Sequence, residues 1–292
     1  MSDKTFCKSR SNWRLIQNLL VLLVAHGLCS NVIAAPDSPQ NLRVVTAFPD
    51  ATNTGVPSGT VLKSSGNVIS SFDGQVIDAL DISGTVIIKH NNVTLKRSRI
   101  TTKDWNAVNC ENVTGTVIED VEVNGLQSGG YGIIGNFTGR RLNVYGFSDG
   151  IVPINNSLVE DSYVHLTGGS LDQHADGFPM QGGQSNVTIR HNTIDMTGIN
   201  GGNGFVFLNG YYGPINNVTI DSNLMLGGGS VAYAAWSNEC PSDNPVNNVR
   251  YINNVISSGR YGFIYPAGAP CITDIAEWTN NTVYGTGAII PR

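Results

Sequence analysis

The sequence has few charged residues and few signs of a helical or membrane-spanning chain. Only 13% of its 292 residues are charged, and acidic residues outnumber basic residues by 22 to 17. The net charge of −5 argues against nucleic acid or an anionic membrane as the partner. The apolar run at 19–25 is too short to cross a bilayer, and no later segment keeps a 3.6-residue hydrophobic period. We therefore expect neither a membrane protein nor a helical protein.

The first 35 residues have the composition of a secretory signal peptide. Four basic residues precede the apolar run, and small residues such as Ala34 follow it. We expect cleavage after Ala34 and a secreted or periplasmic mature protein, with a retained signal anchor as the alternative.

Cysteine is also scarce. Of the five cysteines, Cys7 and Cys29 lie in the expected signal peptide. In an oxidising compartment Cys240 and Cys271 could form a disulfide, which would leave Cys110 unpaired. Whether the two are joined stays open.

An internal repeat decides the fold class. An octet of alternating apolar residues around a polar turn recurs at intervals of 20 to 31 residues. Its first seven copies start at Val93, Thr116, Phe137, Ser157, Val187, Val218 and Val249. Short strands at this spacing, rich in Val, Ile and Thr and interrupted by Asn and Gly, predict stacked coils of parallel strands.

Two further columns of residues support the stacking. Four successive octets carry asparagine at the same place, at Asn192, Asn223, Asn254 and Asn281. In parallel strands these would lie about 4.8 Å apart, so that each amide could bond the next. A glycine begins a second strand in five coils, at Gly132, Gly150, Gly177, Gly204 and Gly262.

The NVTI…N-x-I coils with D-G-[F/I] second strands resemble the pectin-lyase-like superfamily over about residues 75–288. The resemblance implies an all-β fold, a single-stranded right-handed parallel β-helix at 75–292. An N-terminal cap and first turns at 36–74 would precede it, after the signal peptide at 1–35. The superfamily includes polysaccharide lyases, glycoside hydrolases, uronan epimerases and non-catalytic surface proteins. We therefore expect a monomer whose partner is an extracellular polysaccharide.

Charged residues form two columns within the octets. The fourth position alternates in sign through Lys96, Glu119, Arg140, Glu160, Arg190 and Asp221. The fifth position holds Arg97, Asp120, Arg141, Asp161 and His191. Cross-strand pairing of opposite charges explains most of these residues without a substrate. Arg190 and His191 are the two that we expect to bind substrate.

The residue after each octet forms the column with the most chemistry. Tyr145, His165 and Asp195 come from three consecutive coils and should lie within about 5 Å of their neighbours. The coil of His165 is also longer by the stretch that carries Asp172 and His174. We predict a site at this enlarged loop, because solenoids place binding sites beside inserted loops. Its candidate catalytic residues are Tyr145, His165, His174, Asp176 and Asp195.

The favoured chemistry is β-elimination in a uronate polymer. His165 or His174 would be the base, and Tyr145 the acid. Three carboxylates could hold Ca²⁺, namely Asp149, Asp172 and Asp176. Aromatic residues that could stack on sugar rings are Tyr211, Tyr212 and Trp236.

Other functions stay open at this point. C5 epimerisation uses the same proton abstraction, and "DQHAD" partly resembles an epimerase motif. Asp149 and Asp176 could instead catalyse inverting hydrolysis, or cap turns together with Asn203. A carbohydrate-binding adhesin without turnover is the alternative from a different class.

Overall fold

The structure is a computed structural model that describes residues 47–166, 174–197, 199, 202–234, 244–259, 262–265 and 273–292. These residues belong to one compact unit, which spans residues 47–292. Asp172, Trp236, Cys240 and Cys271 lie outside the described residues, as does the expected signal peptide. Within the described ranges, no helix is long and apolar enough to cross a membrane.

The described residues form strands joined by turns. The strands of the first five coils are Lys63–Ser65 (β1), Val68–Ile69 (β2), Val76–Asp78 (β3), Leu80–Ser83 (β4), Val86–Ile87 (β5), Thr94–Lys96 (β6), Arg99–Thr101 (β7), Asn106–Cys110 (β8), Thr116–Glu119 (β9), Glu122–Asn124 (β10), Tyr131–Gly135 (β11), Phe137–Arg140 (β12), Asn143–Tyr145 (β13), Asp149–Pro153 (β14) and Leu158–Glu160 (β15). The strands that follow are Tyr163–His165 (β16), Phe178–Met180 (β17), Ser185–Arg190 (β18), Thr193–Met196 (β19), Gly204–Leu208 (β20), Ile215–Asp221 (β21), Leu224–Gly227 (β22), Ser230–Ala234 (β23), Val246–Ile252 (β24), Val255–Ile256 (β25), Ile264–Tyr265 (β26), Thr273–Thr279 (β27) and Thr282–Val283 (β28).

Every third strand joins the same parallel sheet. Sheet 1 runs in ten strands from β1 to β28, and sheet 3 runs in nine strands from β3 to β27. Sheet 2 has a part from β2 to β14 and a part from β17 to β26. Backbone hydrogen bonds from Gly150 N to Asp176 O (2.9 Å) and from Ile151 N to Gly177 O (3.0 Å) join the two parts. The predicted all-β parallel β-helix is confirmed.

Each octet spans the corner between sheet 3 and sheet 1. In the copy that starts at Val187, the alternating residues Val187, Ile189 and Ile194 point inward and are almost completely buried. The fifth octet position takes the left-handed conformation that turns the corner, as at Arg141 (φ 51°) and His191 (φ 51°). A period of two within each strand and one bend per octet therefore fix the register of the coils.

The asparagine column is a continuous hydrogen-bonded ladder. The Nδ2 group of Asn192 donates to Oδ1 of Asn223 (3.1 Å), Asn223 donates to Asn254 (3.0 Å), and Asn254 donates to Asn281 (2.9 Å). All four side chains are fully buried. The ladder satisfies polar groups at the inner side of the corner, and the predicted stacking of these residues is confirmed.

Candidate functional site

The column after the octets lies at the end of the sheet 1 strands. In the parallel pairing, Tyr145 lies opposite His165, and His165 lies opposite Asp195. The rings of Tyr145 and His165 stack with centroids 4.8 Å apart and planes inclined by 21°. The structure therefore brings these three predicted residues together on the outer face of sheet 1.

A second outward-facing column, whose residues are not among the predicted site residues, completes this cluster. Tyr163 stacks on His165 at a centroid distance of 4.4 Å, and its hydroxyl donates to Oδ2 of Asp195 (3.3 Å). Nε2 of His165 lies 3.2 Å from Oδ1 of Asn143. Because an amide oxygen only accepts hydrogen bonds, Nε2 carries the proton and Nδ1 keeps its lone pair. The imidazole is thus held in the tautomer that can accept a proton at Nδ1.

Glu122 belongs to the same second column and contacts Tyr145. The Tyr145 hydroxyl donates to Oε1 of Glu122 (2.7 Å), and Nε of Arg99 lies 3.3 Å from Oε2 of the same carboxylate. Arg99, Glu122, Asn143 and Tyr163 all hold the seventh octet position. Since strand side chains alternate between faces, this position shares the outer face with the residue after the octet. That periodicity is the signal that could have found these residues.

The pKa values of His165, Tyr145 and Tyr163 differ in a way that leaves one side chain as a base and two as acids. Burial lowers the pKa of His165, and the charge of Asp195 offsets part of that effect. Burial, followed by the hydrogen bond to Glu122, raises the pKa of Tyr145 to about 12. Burial and then the charge of Asp195 raise the pKa of Tyr163 to about 12. At neutral pH the imidazole is therefore uncharged, and both phenols keep their protons.

A cleft of about 500 Å³ opens beside Tyr145. The residues that line it are Lys103, Asn124, Leu126, Gln127, Tyr145 and Gly146. This volume is within the usual range for small-molecule sites. Lys103 is the charged residue in this lining.

The chain segment at 47–55 lies against the opposite side of this cluster. Phe48 stacks on His191 at 5.7 Å, and the Gly55 N–H group donates to the Arg141 carbonyl (2.8 Å). Gly55 has a φ of +75°, and a Cβ atom there would lie 3.0 Å from Cβ of Asn143. The charge of Asp50 also contributes to the raised pKa of Tyr163. The segment therefore packs closely against the residues that hold His165.

Asp149 and Asp176 lie in a different column, at the start of the sheet 2 strands. Oδ1 of Asp149 accepts the Asp176 N–H group (2.8 Å), and Oδ1 of Asp176 accepts the Gly204 N–H group (2.7 Å). Asp176 is only 5% exposed. Burial raises the pKa of Asp149 to about 7. Burial and then the charge of Asp149 raise the pKa of Asp176. This geometry favours the alternative that both carboxyl groups cap the turns between coils.

The described residues alone do not form a calcium site. Asp149 and Asp176 each use one oxygen for a backbone N–H group. Within the described ranges, no group of three or more His, Cys, Asp or Glu side chains could hold a metal. A site that includes Asp172 lies outside these ranges, so calcium binding stays a prediction.

Arg190 and His191 each pair with a carboxylate of the charge columns. An Nη2 of Arg190 pairs with Glu160, which also pairs with Arg140 (2.8 Å). Nδ1 of His191 lies 2.6 Å from Oδ1 of Asp161, and the histidine is 8% exposed. The alternating register predicted for the fourth position is observed from Lys96 to Asp221. These contacts account for Nη2 of Arg190 and Nδ1 of His191 without a substrate.

The remaining candidates lie at the surface. His174 is exposed at the described end of the enlarged loop. Tyr211 and Tyr212 are 43% and 72% exposed, and their rings meet edge to face at 4.6 Å. Neither tyrosine belongs to the cluster around His165.

Comparison with known proteins gives one similarity of fold. No protein-family model matches the chain, and no curated protein matches it. Among solved structures, the chain is similar to an alginate lyase from Paenibacillus sp. str. FPU-7, with 12% sequence identity and a TM-score of 0.48. The similarity covers 77% of this chain and 89% of that chain. At this identity and score, it carries no argument about the activity of this chain.

Proposed function

We propose that the chain is an exported lyase of the pectin-lyase-like β-helix superfamily, which cleaves a uronate-containing polysaccharide by β-elimination. The main support is the uncharged His165 imidazole, stacked at 4.8 Å on the protonated Tyr145 phenol. A base and an acid with well-separated pKa values are what this reaction needs near neutral pH.

The roles follow from the protonation states. Nδ1 of His165 removes the proton at C5 of the uronate, and the electrons of that C–H bond form a C4=C5 double bond. The C4–O4 bond breaks, and the departing O4 takes the proton of the Tyr145 hydroxyl. Asn143 keeps the imidazole in the reactive tautomer through its contact with Nε2 (3.2 Å). Asp195 stabilises the imidazolium that forms, because its negative charge lies in the next coil.

The uronate carboxylate must be neutralised before C5 becomes acidic. Lys103 lines the cleft next to Tyr145, and Arg99 lies in the same group of side chains through Glu122. We assign charge neutralisation to these two cations. Both lie on the N-terminal side of Tyr145, whereas Asp195 lies on the C-terminal side. The substrate carboxylate is therefore expected at the end of the site nearer to Lys103.

The products formed from uronate polymers separate the reactions that this fold supports. Alginate, pectate and glucuronan should be incubated with the protein while the ultraviolet absorbance of an unsaturated sugar is followed. A lyase gives that absorbance. A C5-epimerase changes the uronate ratio by NMR without it, a hydrolase yields reducing ends alone, and an adhesin yields no product. Absence of an unsaturated product from uronate polymers would refute the proposal.

Variants then test the assigned residues. His165→Ala and Tyr145→Phe should each reduce kcat by roughly 100-fold or more, since each removes one proton-transfer group. His90→Ala is the matched control, because His90 contacts Ser70 (2.9 Å) in a distant coil. If His174 is the base instead, His174→Ala will lose turnover and His165→Ala will keep it. Circular dichroism should show that every variant remains folded.

A further inference from the structure

A single glycine, Gly55, lies beside the residues that hold both reactive side chains. Oδ1 of Asn143 lies 3.2 Å from Nε2 of His165. Glu122 accepts the hydrogen bond of the Tyr145 hydroxyl (2.7 Å). A Cβ atom added at Gly55 would lie 3.0 Å from Cβ of Asn143 and 3.5 Å from Cβ of Glu122. The fit leaves no room beside Asn143 for a side chain at residue 55.

The turn that precedes Gly55 holds it in place. Oδ1 of Asp50 accepts hydrogen bonds from the N–H group (2.7 Å) and the hydroxyl group (2.6 Å) of Thr52. The Thr54 hydroxyl donates to the Asp50 carbonyl (2.6 Å), and the Gly55 N–H group donates to the Arg141 carbonyl (2.8 Å). Because side-chain bonds of this kind fix the backbone of a turn, the whole turn sets the position of Gly55.

Asn143 has little freedom to move away from an added atom. It is only 7% exposed, and its strand β13 pairs with β10 on one side and with β16 on the other. Glu122 lies in β10, and His165 lies in β16. In a close-packed environment a displaced side chain moves its neighbours. A Cβ atom at 3.0 Å from Asn143 would therefore change the distance between Asn143 and His165.

The segment that carries Gly55 does not line the cleft beside Tyr145. Among the described residues, those that line this cleft are Lys103 and positions between 124 and 146, and none comes from 47–55. A residue that packs on Asn143 and Glu122 affects the geometry of the reacting groups without contacting the substrate. The effect of changing it is therefore expected in kcat rather than in KM.

We infer that Gly55 is a positioning residue of the reactive site. Through Asn143 and Glu122, its backbone sets the distance and orientation between the imidazole and the phenol. The effect on turnover rests on the proposed function. The effect on His165 does not, because the contact with Asn143 sets the tautomer of the imidazole.

Two alanine variants separate this contact from backbone strain. Gly55→Ala adds a Cβ atom beside Asn143 and also places alanine at a φ of +75°. Gly59→Ala is the matched control, because Gly59 has a φ of +82° and an added Cβ there meets no atom of the described residues within 4 Å beyond its chain neighbours. Gly55→Ala should lower kcat by about tenfold and leave KM within about twofold of the wild type, since small displacements of reacting groups are costly. Gly59→Ala should match the wild type in both.

Nitrogen NMR of the imidazole rings, after isotope labelling, gives a second readout that needs no turnover. The His165 signals are identified by their loss in His165→Ala. At neutral pH the wild type and Gly59→Ala should show a protonated Nε2 and an unprotonated Nδ1, whereas Gly55→Ala should show a mixture of both tautomers. Phe48→Ala loosens the segment at His191 (5.7 Å) without adding an atom, and it should show the same mixture.

The outcomes separate this inference from the proposed function. If the wild type forms no unsaturated product, the lyase proposal fails, and the tautomer of His165 alone then decides the inference. A folded Gly55→Ala protein that keeps either the wild-type kcat or a single His165 tautomer overturns the inference. Equal losses in Gly55→Ala and Gly59→Ala overturn it too, because backbone strain and not contact with Asn143 would then be the cause. If Gly55→Ala does not fold, a single His165 tautomer in Phe48→Ala overturns it.

Discussion

The buried asparagine ladder should be the most sensitive polar feature of the coil. In the Asn223→Ala variant, the Asn192 N–H group loses its acceptor, Oδ1 of Asn223 (2.9 Å). The Ile189 carbonyl loses its donor, Nδ2 of Asn223 (2.9 Å). The side chain is fully buried, so water cannot replace it at either group.

The expected cost follows from these two groups. A buried donor or acceptor that loses its partner costs about 1–3 kcal/mol. Asn192 keeps a bond from its Nδ2 to the Val159 carbonyl (3.0 Å), so its side chain adds little. We expect the free energy of unfolding to fall by about 4 kcal/mol, a large part of the roughly 5–15 kcal/mol typical of a domain.

Urea denaturation at fixed pH measures this change. The control is Asn217→Gly in the exposed ladder, where Asn217 donates to Asn186 (3.0 Å) and accepts from Asn248 (2.8 Å). Asn217 has a φ of +57°, which glycine adopts without strain. Its loss should cost less than about 1 kcal/mol, because water can replace both bonds. An Asn223→Ala variant within about 1 kcal/mol of the wild type would refute the reasoning.

Three further predictions concern charges. The charge of Asp195 raises the pKa of His165 against the effect of burial. The Asp195→Asn variant should therefore lower this pKa and move the acidic limb of the pH profile of kcat/KM to lower pH. An acidic limb that does not move would contradict His165 as the base. Burial raises the pKa of Asp149 from 3.8 to about 7, so the wild type loses stability as the pH rises through this range. The Asp149→Asn variant should avoid up to about 4 kcal/mol of that loss. The measurement is the free energy of unfolding of both proteins at low and at neutral pH. If the substitution changed this free energy equally at the two pH values, burial would not be the cause. Arg190→Gln removes a partner of the nearly buried Glu160 and should cost roughly 2 kcal/mol in thermal or urea unfolding, whereas a raised KM at unchanged stability would favour substrate binding.

The columns could be predicted because equivalent positions of successive repeats pair in register in a parallel coil. Once the octets are aligned, the residue after each copy must lie beside its counterparts, and Tyr145, His165 and Asp195 follow directly. Asn143 and Tyr163 were equally accessible from the period of two, because they precede column residues by two places. The alternation of sign along the fourth octet position likewise predicted the ion pairs of Glu160 with Arg140 and Arg190.

Other parts of the site depend on contacts that no repeat encodes. The sequence does not determine which way the Tyr163 ring leans, and that direction brings it to 4.4 Å from His165 on its own strand. The position of Asp176 in its column was predictable, but its burial depends on how neighbouring turns pack. The segment at 47–55 matches no octet, so its contacts with Asn143 and His191 become visible only in three dimensions.

That segment also has a consequence for the order of assembly. Phe48 and Gly55 are made before any of the coils, but they pack on His191 and on Arg141 and Asn143, which come much later in the chain. Closing so large a loop costs entropy that adding one coil to the next does not. The coils can therefore stack while this early stretch is still undocked. We therefore expect the coil to form first and the contacts of Phe48 and Gly55 beside the His165 cluster to form last.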